Sequence, residues 1–130
     1  MINLAISVPG KFYTDAITEA LEKTGNFRVW PMTEAKLDTG MEHEQMGNAP
    51  PDIVLLGVSV HSGYTLGERH EVIRRLRAKQ SGCRIVVFID ELVSPEQTAG
   101  VKELKQARLI DGFLYASGTM EYLVATLESI

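Results

Sequence analysis

The chain has 130 residues, 45% of them hydrophobic and 23% charged, which suits one globular domain spanning residues 1–130. Thirteen basic residues against seventeen acidic ones give a formal net charge of −4, and no run of Lys or Arg could follow a phosphate backbone, so direct nucleic-acid binding is disfavoured. We expect a soluble, cytoplasmic domain, because neither a signal peptide nor an apolar stretch of the ~20 residues that span a membrane is evident. The lone cysteine, Cys83, is predicted to be a small buried hydrophobe.

Apolar runs alternate with segments of helical periodicity along the chain. In chain order, the predicted strands and helices lie at residues 2–8, 13–25, 27–32, 52–60, 67–79, 84–90, 94–108, 112–117 and 119–130. The runs at 52–60 and 84–90 are almost continuous in Val, Ile and Leu, which is typical of parallel strands covered by helices on both faces. The order predicts a doubly wound α/β fold of three layers with a five-stranded parallel sheet, most simply in the order 2-1-3-4-5.

Local signals mark the ends of three helices. Gly25 is expected to end the first helix, because glycine enters the left-handed conformation at low cost. Ser94 is expected to cap the helix that follows it, with Pro95 in the first helical position and Gln97 returning a hydrogen bond. Thr119 is the predicted cap of the last helix. The buried face of that helix is predicted to consist of Met120, Leu123, Val124, Leu127 and Ile130.

Residues 33–51 break the alternation of strands and helices. Glycines and prolines interrupt the few apolar residues there, so we expect one short or irregular helix. His43 lies in this segment between Glu42 and Glu44. Adjacent residues on a helix or loop point in different directions, so a metal site is not predicted from these three side chains.

Three polar residues, Ser7, His61 and Asp90, follow predicted strands at the edge where doubly wound folds place their chemistry. They suggest a hydrolase as one hypothesis. The chain has no Gly-x-Ser-x-Gly nucleophile elbow, however, and nothing in the sequence brings the three side chains within hydrogen-bond reach. Residues 8–15 place a glycine and a lysine between a strand and a helix, but they lack the spacing of a phosphate-binding loop. We therefore predict no enzymatic activity.

The helix predicted at 67–79 is amphipathic and rich in arginine. Its arginines are Arg69, Arg74, Arg75 and Arg77. We interpret it as an ordinary charged helix surface, with Glu71 and Arg75 pairing one turn apart, rather than as a site for an anionic ligand. A surface for a protein partner is the alternative.

The order and spacing of these segments resemble the receiver domain of bacterial response regulators over nearly the whole chain. The stretch PDIVLLG (51–57) is similar to that family's third strand, 74–88 to the run from its third helix into its fourth strand, and 111–127 to its fifth strand, the following turn and the final helix. The similarity is greatest to receivers that precede LuxR-type DNA-binding domains. The resemblance implies a flavodoxin-like, CheY-like sheet.

The resemblance also implies where a phosphorylation pocket would lie, and this chain lacks the residues of that pocket. The two metal-binding acidic positions fall on Val8 and Pro9, and the phosphoacceptor position falls on Gly57. The hydroxyl position falls on Ile89 and the lysine position on Ala116. Clustered carboxylates are tolerated because Mg²⁺ neutralises them and prepares the acceptor, so these losses belong together. The resemblance thus implies a degenerate pseudo-receiver that uses no metal or cofactor.

Two further features follow from the resemblance. Phe113 matches the family's switch aromatic, and with Ile89 beneath it we expect static packing of the ring rather than a switch. Receivers commonly pair through the face that corresponds here to 95–108, 112–117 and 119–130. By analogy, the contact residues on that face would be Lys102, Lys105, Tyr115 and Tyr122.

These observations predict a signalling or dimerisation module without phosphoryl chemistry. It would be the N-terminal regulatory domain of a LuxR-type transcriptional regulator, in which case DNA binding belongs to the domain that follows, or a free-standing adaptor. One alternative is a receiver-like localisation domain ahead of a MinD-like ATPase. Another is a small-molecule sensor that uses the vacated rim around Ser7, Gly57, His61 and Asp90.

Overall fold

The computed structural model describes residues 1–32, 51–79, 82–90 and 92–130. Of the irregular segment expected at residues 33–51, residues 33–50, which include His43 and its two flanking glutamates, lie outside the described residues. None of the described helices has the length and apolar character that crossing a membrane requires.

Strands and helices alternate in the order predicted from the sequence. The strands are β1 (Ile2–Ser7), β2 (Phe27–Pro31), β3 (Ile53–Val58), β4 (Arg84–Ile89) and β5 (Gly112–Tyr115). The helices are α1 (Lys11–Lys23), α2 (Leu66–Lys79), α3 (Pro95–Gln106) and α4 (Met120–Ser129). The predicted elements are therefore confirmed in type and order, with ends that differ by a few residues.

The described strands form a parallel sheet in the order β2-β1-β3-β4-β5, which confirms the doubly wound topology. Every residue of β3 is buried, and in β4 only the first residue, Arg84, is exposed. A strand without a polar side is expected where helices cover both faces of the sheet. The five strands given above run the same way, so their carboxyl ends meet at one edge, where doubly wound folds place their binding sites.

Among the described residues, each face of the sheet packs against one pair of helices. Because successive side chains of a strand point to opposite faces, Leu55 belongs to the core shared with α1 and α4, and Leu56 belongs to the core shared with α2 and α3. We call these two sides the α1/α4 face and the α2/α3 face. Cys83 is buried in the α2/α3 core, as predicted, and burial raises the pKa of its thiol to about 12.

The predicted helix ends are confirmed at Gly25, Ser94 and Thr119. Gly25 has a φ of 79°. The Ser94 hydroxyl accepts a hydrogen bond from the Gln97 backbone N–H at 3.2 Å, and the Thr119 hydroxyl accepts one from the Tyr122 N–H at 3.1 Å. The prediction of a return bond to the Gln97 side chain is wrong, because its Oε1 atom is buried and accepts no hydrogen bond.

The predicted buried face of α4 is correct except at its first residue. Leu123 and Leu127 are buried, and Val124 and Ile130 pack partly against the same core. Met120 is 36% exposed, contrary to the prediction. The helical spacing places Met120 on the apolar face, but spacing alone does not say where that face stops being covered by other elements.

Candidate functional site at the carboxyl edge of the sheet

The ends of β1 and β3 approach each other so closely that position 57 has no room for a side chain. A Cβ atom built on Gly57 would lie 2.7 Å from Cδ of Pro9 and 3.0 Å from Cα of Val8. Real Cβ atoms essentially never approach other heavy atoms to less than 3.0 Å. Gly57 is therefore needed here because the turn between β1 and α1 occupies the space that any side chain would fill.

Four of the five pocket positions implied by the resemblance line one small cavity at this edge. They are Val8, Pro9, Gly57 and Ala116. The fifth, Ile89, points into the α2/α3 core, and its neighbour Phe88 lines the cavity instead, as strand alternation requires. The cavity measures about 10 Å³, roughly the room that a single water molecule needs.

Asp90 lines the cavity, and its carboxylate bonds to the backbone two residues further along the chain. Its Oδ1 atom accepts a hydrogen bond from the backbone N–H of Leu92 at 2.9 Å, and its own N–H donates to the carbonyl of Val58 at 3.0 Å. No group of three or more His, Cys, Asp or Glu side chains in the described ranges is arranged to hold a metal ion. The carboxylate of Asp90 thus holds the backbone of Leu92 close to the end of β4.

On the opposite face of the same strand ends lies Arg69, which is completely buried. Its Nε atom donates to the carbonyl of Gly57 at 2.9 Å. Its Nη2 atom donates to the carbonyl of Ser7 at 2.7 Å and to the Ser7 hydroxyl at 2.8 Å. One guanidinium therefore links the end of β1 to the end of β3. A rigid planar fork with five N–H donors suits such multiple contacts, which a lysine could not make.

The interpretation of Arg69 as a solvent-facing arginine is wrong, and a signal in the sequence could have corrected it. Arg69 precedes Val72, Ile73 and Leu76 by three, four and seven residues, which places all four side chains on one face of α2. That face is buried. The predicted pair of Glu71 with Arg75 is confirmed, at 3.5 Å on the exposed side of the helix.

The loop between β3 and α2 covers the Arg69 guanidinium. Tyr64 places its ring centroid 4.4 Å from Cζ of Arg69, in cation–π contact. Glu68 holds this loop in shape by accepting hydrogen bonds from the Thr65 hydroxyl at 2.7 Å and from the Gly63 N–H at 2.9 Å. These bonds lower the pKa of the Glu68 carboxyl below its ordinary value of 4.5, and the bond from Thr65 has the largest effect.

Ser7, His61 and Asp90 are not brought together. Ser7 is buried against Arg69, whereas His61 is exposed in the loop and its N–H donates to the Ser59 hydroxyl at 3.1 Å. In the described parts of the chain, no hydrogen bond joins any two of these three side chains. Ser7 also points to the face opposite the small cavity, so the rim site expected around these residues and Gly57 does not form as one pocket.

Phe113 is partly buried and packs against the α2/α3 core that contains Ile89. Its ring meets the ring of Tyr115 edge to face, with centroids 5.9 Å apart. Of the positions expected on a dimer face, Tyr115 is 45% exposed and Tyr122 is 61% exposed. Lys102 and Lys105 are exposed on α3. The side chains named for a pairing surface are therefore accessible.

Comparison with known proteins gives matches to solved structures, while no family model and no curated protein sequence matches the chain. A LuxR-family DNA-binding response regulator from Staphylococcus aureus superposes with a TM-score of 0.72 at 20% identity, covering 99% of this chain and 98% of the other. Chemotaxis protein CheY4 from Vibrio cholerae gives a TM-score of 0.72 at 16% identity, covering 100% and 98%. The chain has the receiver fold.

The receiver fold does not determine activity. A chain from Rhodopirellula baltica described as an adenylate cyclase also superposes, with a TM-score of 0.69 at 10% identity over 98% of this chain and 84% of that one. At these identities the superpositions establish the architecture, and the activity depends on the side chains at the carboxyl edge.

We predict that Gly57→Ala lowers the free energy of unfolding by about 1–3 kcal/mol, because the added methyl group collides with Pro9. In a Pro9→Ala background the same change should cost less by at least about 0.5 kcal/mol, since the Cδ atom is gone. Urea unfolding of the four proteins in this cycle measures the difference. Gly67→Ala is the control, because a Cβ there meets nothing within 4 Å. Equal costs in both backgrounds would contradict the contact.

Arg69→Met should lower the free energy of unfolding by about 2–4 kcal/mol, because it leaves the buried carbonyls of Ser7 and Gly57 without a donor. Arg69→Lys should recover less than half of the loss, since an ammonium group cannot span both strands as the fork does. Arg74→Met, at a side chain that is 64% exposed, should stay within about 0.5 kcal/mol of the parent. Urea titrations measure all three, and similar losses for Arg69→Met and Arg74→Met would refute the role of the fork.

Because the folded pKa of Glu68 is lowered, its carboxylate stabilises the folded chain above pH 4.5, and that stabilisation is lost as the pH falls through the lower folded value. The stability difference between the parent and Glu68→Gln should therefore be constant near neutral pH and shrink below pH 4.5. Thr65→Val, which removes the principal hydrogen bond, should weaken the same dependence. Urea unfolding between about pH 3 and 7 tests this, and a difference that grows on acidification would be inconsistent with it.

Proposed function

We propose that this chain is a cytoplasmic receiver-like module that acts by protein–protein contact, without phosphorylation. The observation that carries the proposal is the close approach of Pro9 to Gly57. The position that corresponds to a phosphoacceptor has no space for a side chain. The neighbouring positions Val8, Pro9 and Ala116 offer neither a carboxylate for Mg²⁺ nor an ammonium for a phosphoryl group.

The buried arginine supports the same proposal from the other side of the sheet. Arg69 places a permanent cation against the carbonyls that end β1 and β3. Pro9 occupies the space on one side of Gly57 and Arg69 packs on the other, so a phosphoryl group has no room beside position 57. The packing of Phe113 against the α2/α3 core is consistent with the static role that we propose for this ring.

Pairing with a second copy is the contact that we propose first. The face made by α3, β5 and α4 presents exposed tyrosine and lysine side chains at Tyr115, Tyr122, Lys102 and Lys105. Tyrosine supplies contact area at low cost in side-chain entropy, which suits an interface. In a LuxR-type regulator, such pairing would bring two DNA-binding domains together, and a module ahead of a MinD-like ATPase would use the same face.

The observations at the edge disfavour the two other functions suggested by the sequence. A cavity of about 10 Å³ is far smaller than a site for a metabolite, which measures several hundred Å³, so a ligand sensor at this rim is disfavoured. The separation of Ser7, His61 and Asp90 removes the geometry on which a hydrolase would depend. We propose no enzymatic activity.

The proposal is tested by incubating the chain with Mg²⁺ and acetyl phosphate, or with Mg²⁺ and beryllofluoride, beside a receiver that retains its acceptor aspartate. Intact mass and light scattering after size exclusion should show no phosphoryl adduct and the same oligomeric state with and without treatment. An acid-labile adduct, or a dimer that depends on beryllofluoride, would overturn the proposal.

The pairing face is tested separately by light scattering over a range of concentrations. Tyr115→Glu should convert a dimer into a monomer, because it places a charge at the centre of the proposed interface. Val60→Ser, at a side chain 50% exposed in the loop between β3 and α2, should leave the dimer intact. An untreated chain that is monomeric at all concentrations, or a dimer insensitive to Tyr115→Glu, would refute pairing through this face.

A further inference from the structure

At the amino edge of the sheet, the end of the strands away from the small cavity, Arg77 joins three segments of the chain. Its Nε atom donates to the carbonyl of Leu109 at 2.9 Å, and its Nη1 atom donates to the carbonyl of Cys83 at 2.7 Å. Its Nη2 atom pairs with the carboxylate of Asp111, which also accepts the Ile85 N–H at 2.8 Å. The end of α2, the start of β4 and the connection between α3 and β5 are therefore held together at one point.

Each of these three segments presents an exposed cation close in sequence to the groups that Arg77 binds. Lys79 ends α2, Arg84 begins β4, and Arg108 directly precedes Leu109. Within the described part of the chain, none of the three side chains forms an ion pair. We call Lys79, Arg84 and Arg108 the amino-edge cations.

The charge of these segments is opposite in sign to that of the whole chain. Residues 77–85 and 107–111 contain four basic residues and one acidic residue, Asp111, which is paired with Arg77. The formal net charge of the chain is −4. On the neighbouring strand, the carboxylate of Asp52 accepts the Asn3 N–H at 2.8 Å, on the side of β1. A local excess of positive charge therefore lies on an acidic protein.

Arg108 has a backbone conformation that glycine adopts at lower cost. Its φ is 62°, and it is the one non-glycine residue with a positive φ among the described residues. It follows α3 in a Schellman motif: its N–H donates to the carbonyl of Lys105 and the Leu109 N–H donates to the carbonyl of Leu104, both at 3.0 Å. Glycine is the usual residue at this position of the motif. An exposed arginine where it disfavours the fold points to a use of its side chain.

The helix dipole does not account for all three amino-edge cations. A basic side chain near the end of a helix is favourable, but the effect is small where the side chain is exposed. It applies to Lys79 and Arg108, which end α2 and follow α3, and it does not apply to Arg84, which begins a strand. The shared property of the three residues is their place around the Arg77 contacts.

Charge and size determine what the amino-edge cations can bind. Arginine pairs with carboxylates in a planar, bidentate geometry. Salt screens charges beyond about 8–10 Å, so a short acidic segment that contacts this edge interacts mainly with the local positive charge. A long polyanion such as a nucleic acid would also meet the rest of the surface, where acidic residues are in excess.

We infer that the amino-edge cations bind a short acidic segment of a partner protein. The carboxylates of that segment pair with Arg84 and Arg108, and Lys79 adds a third positive charge beside them. The inference rests on the proposed function, since it assumes a module that acts by protein contact. The three residues lie outside α3, β5 and α4, so the acidic segment and the pairing face use different side chains.

The probe is the peptide hexaglutamate, and hexaglutamine is its neutral counterpart of equal length. Nuclear magnetic resonance titration of the isotope-labelled full chain should show binding of hexaglutamate alone, with shifts at the amides of the amino-edge cations. The affinity should fall as the salt concentration rises. Arg84→Gln combined with Arg108→Gln should weaken binding by about tenfold or more, because two of the three cations are lost.

The matched control is Lys11→Gln combined with Arg74→Gln. It also removes two positive charges, from side chains that are 87% and 64% exposed and lie away from the amino edge. The affinity for hexaglutamate should stay within about twofold of the parent, since distant exposed charges are screened. Equal losses in the two double variants would overturn the inference, because binding would then follow net charge rather than a site.

Arg108→Gly separates a role in binding from a role in the fold. Glycine adopts the left-handed conformation at lower cost, so the urea midpoint should equal or exceed that of the parent. Hexaglutamate binding should nevertheless weaken by about threefold or more, because the guanidinium is lost. A variant that loses stability and keeps its affinity would show that Arg108 serves the fold, and the inference would fail.

Three further results would also overturn the inference. The first is equal binding of hexaglutamine. The second is tighter binding of a single-stranded oligodeoxynucleotide, or of phosphatidylglycerol vesicles, than of hexaglutamate at the same concentration of charge. The third is a change in oligomeric state when Arg84→Gln and Arg108→Gln are combined, because the occupant would then be a second copy.

The outcomes for the amino edge and for the proposed function are distinguishable. A chain that binds hexaglutamate and also accepts a phosphoryl group retains the site at the amino edge but loses phosphorylation independence. A chain that accepts no phosphoryl group and does not bind hexaglutamate retains the proposed function, and the inference about the amino edge is overturned.

Discussion

The carboxyl edge of the sheet depends on one buried guanidinium. Carbonyl groups at the end of parallel strands project beyond the last N–H of the neighbouring strand, and they need donors if they are covered. Arg69 supplies these donors to Ser7 and Gly57. Burying an arginine is itself unfavourable unless its donors are satisfied, so the loop that carries Tyr64 and the strands that supply the carbonyls stabilise the charge together. Arg69 thereby links β1, β3, α2 and this loop.

The architecture was predictable because the dominant signals are local and repeated. Two almost wholly apolar strands indicate a parallel sheet covered on both faces, and Ser94 and Thr119 mark helix starts through hydrogen bonds to residues three positions away. The environment of a side chain was less predictable where the usual preference of its residue type disagrees with its spacing along the helix. Arginine is usually exposed, and that preference outweighed the spacing that places Arg69 on the apolar face of its helix. At Met120 the spacing is right, yet the covering elements stop short of it.

The candidate site was predictable in its residue types but not in its shape. The resemblance to the receiver family implies that Gly57 stands where an acceptor would stand. It does not show that Pro9, far away in the sequence, occupies the volume above that glycine. Nor does it show that Ile89 points away from the cavity, although the alternation of side chains along β4 contains that information. Contacts between separate strand ends depend on register and twist, which a single sequence specifies only through the complete fold.

The packing of Pro9 over Gly57 also constrains the history that is open to this sequence. A substitution that placed aspartate at position 57 would first have to pass through a chain in which the new side chain overlaps the proline ring. A substitution at Pro9 alone would open a gap without creating an acceptor. An aspartate at position 57 thus requires a second change at position 9, and either change is unfavourable when it comes first. The contact therefore couples positions 9 and 57, so a side chain can be accommodated at position 57 only if position 9 also changes.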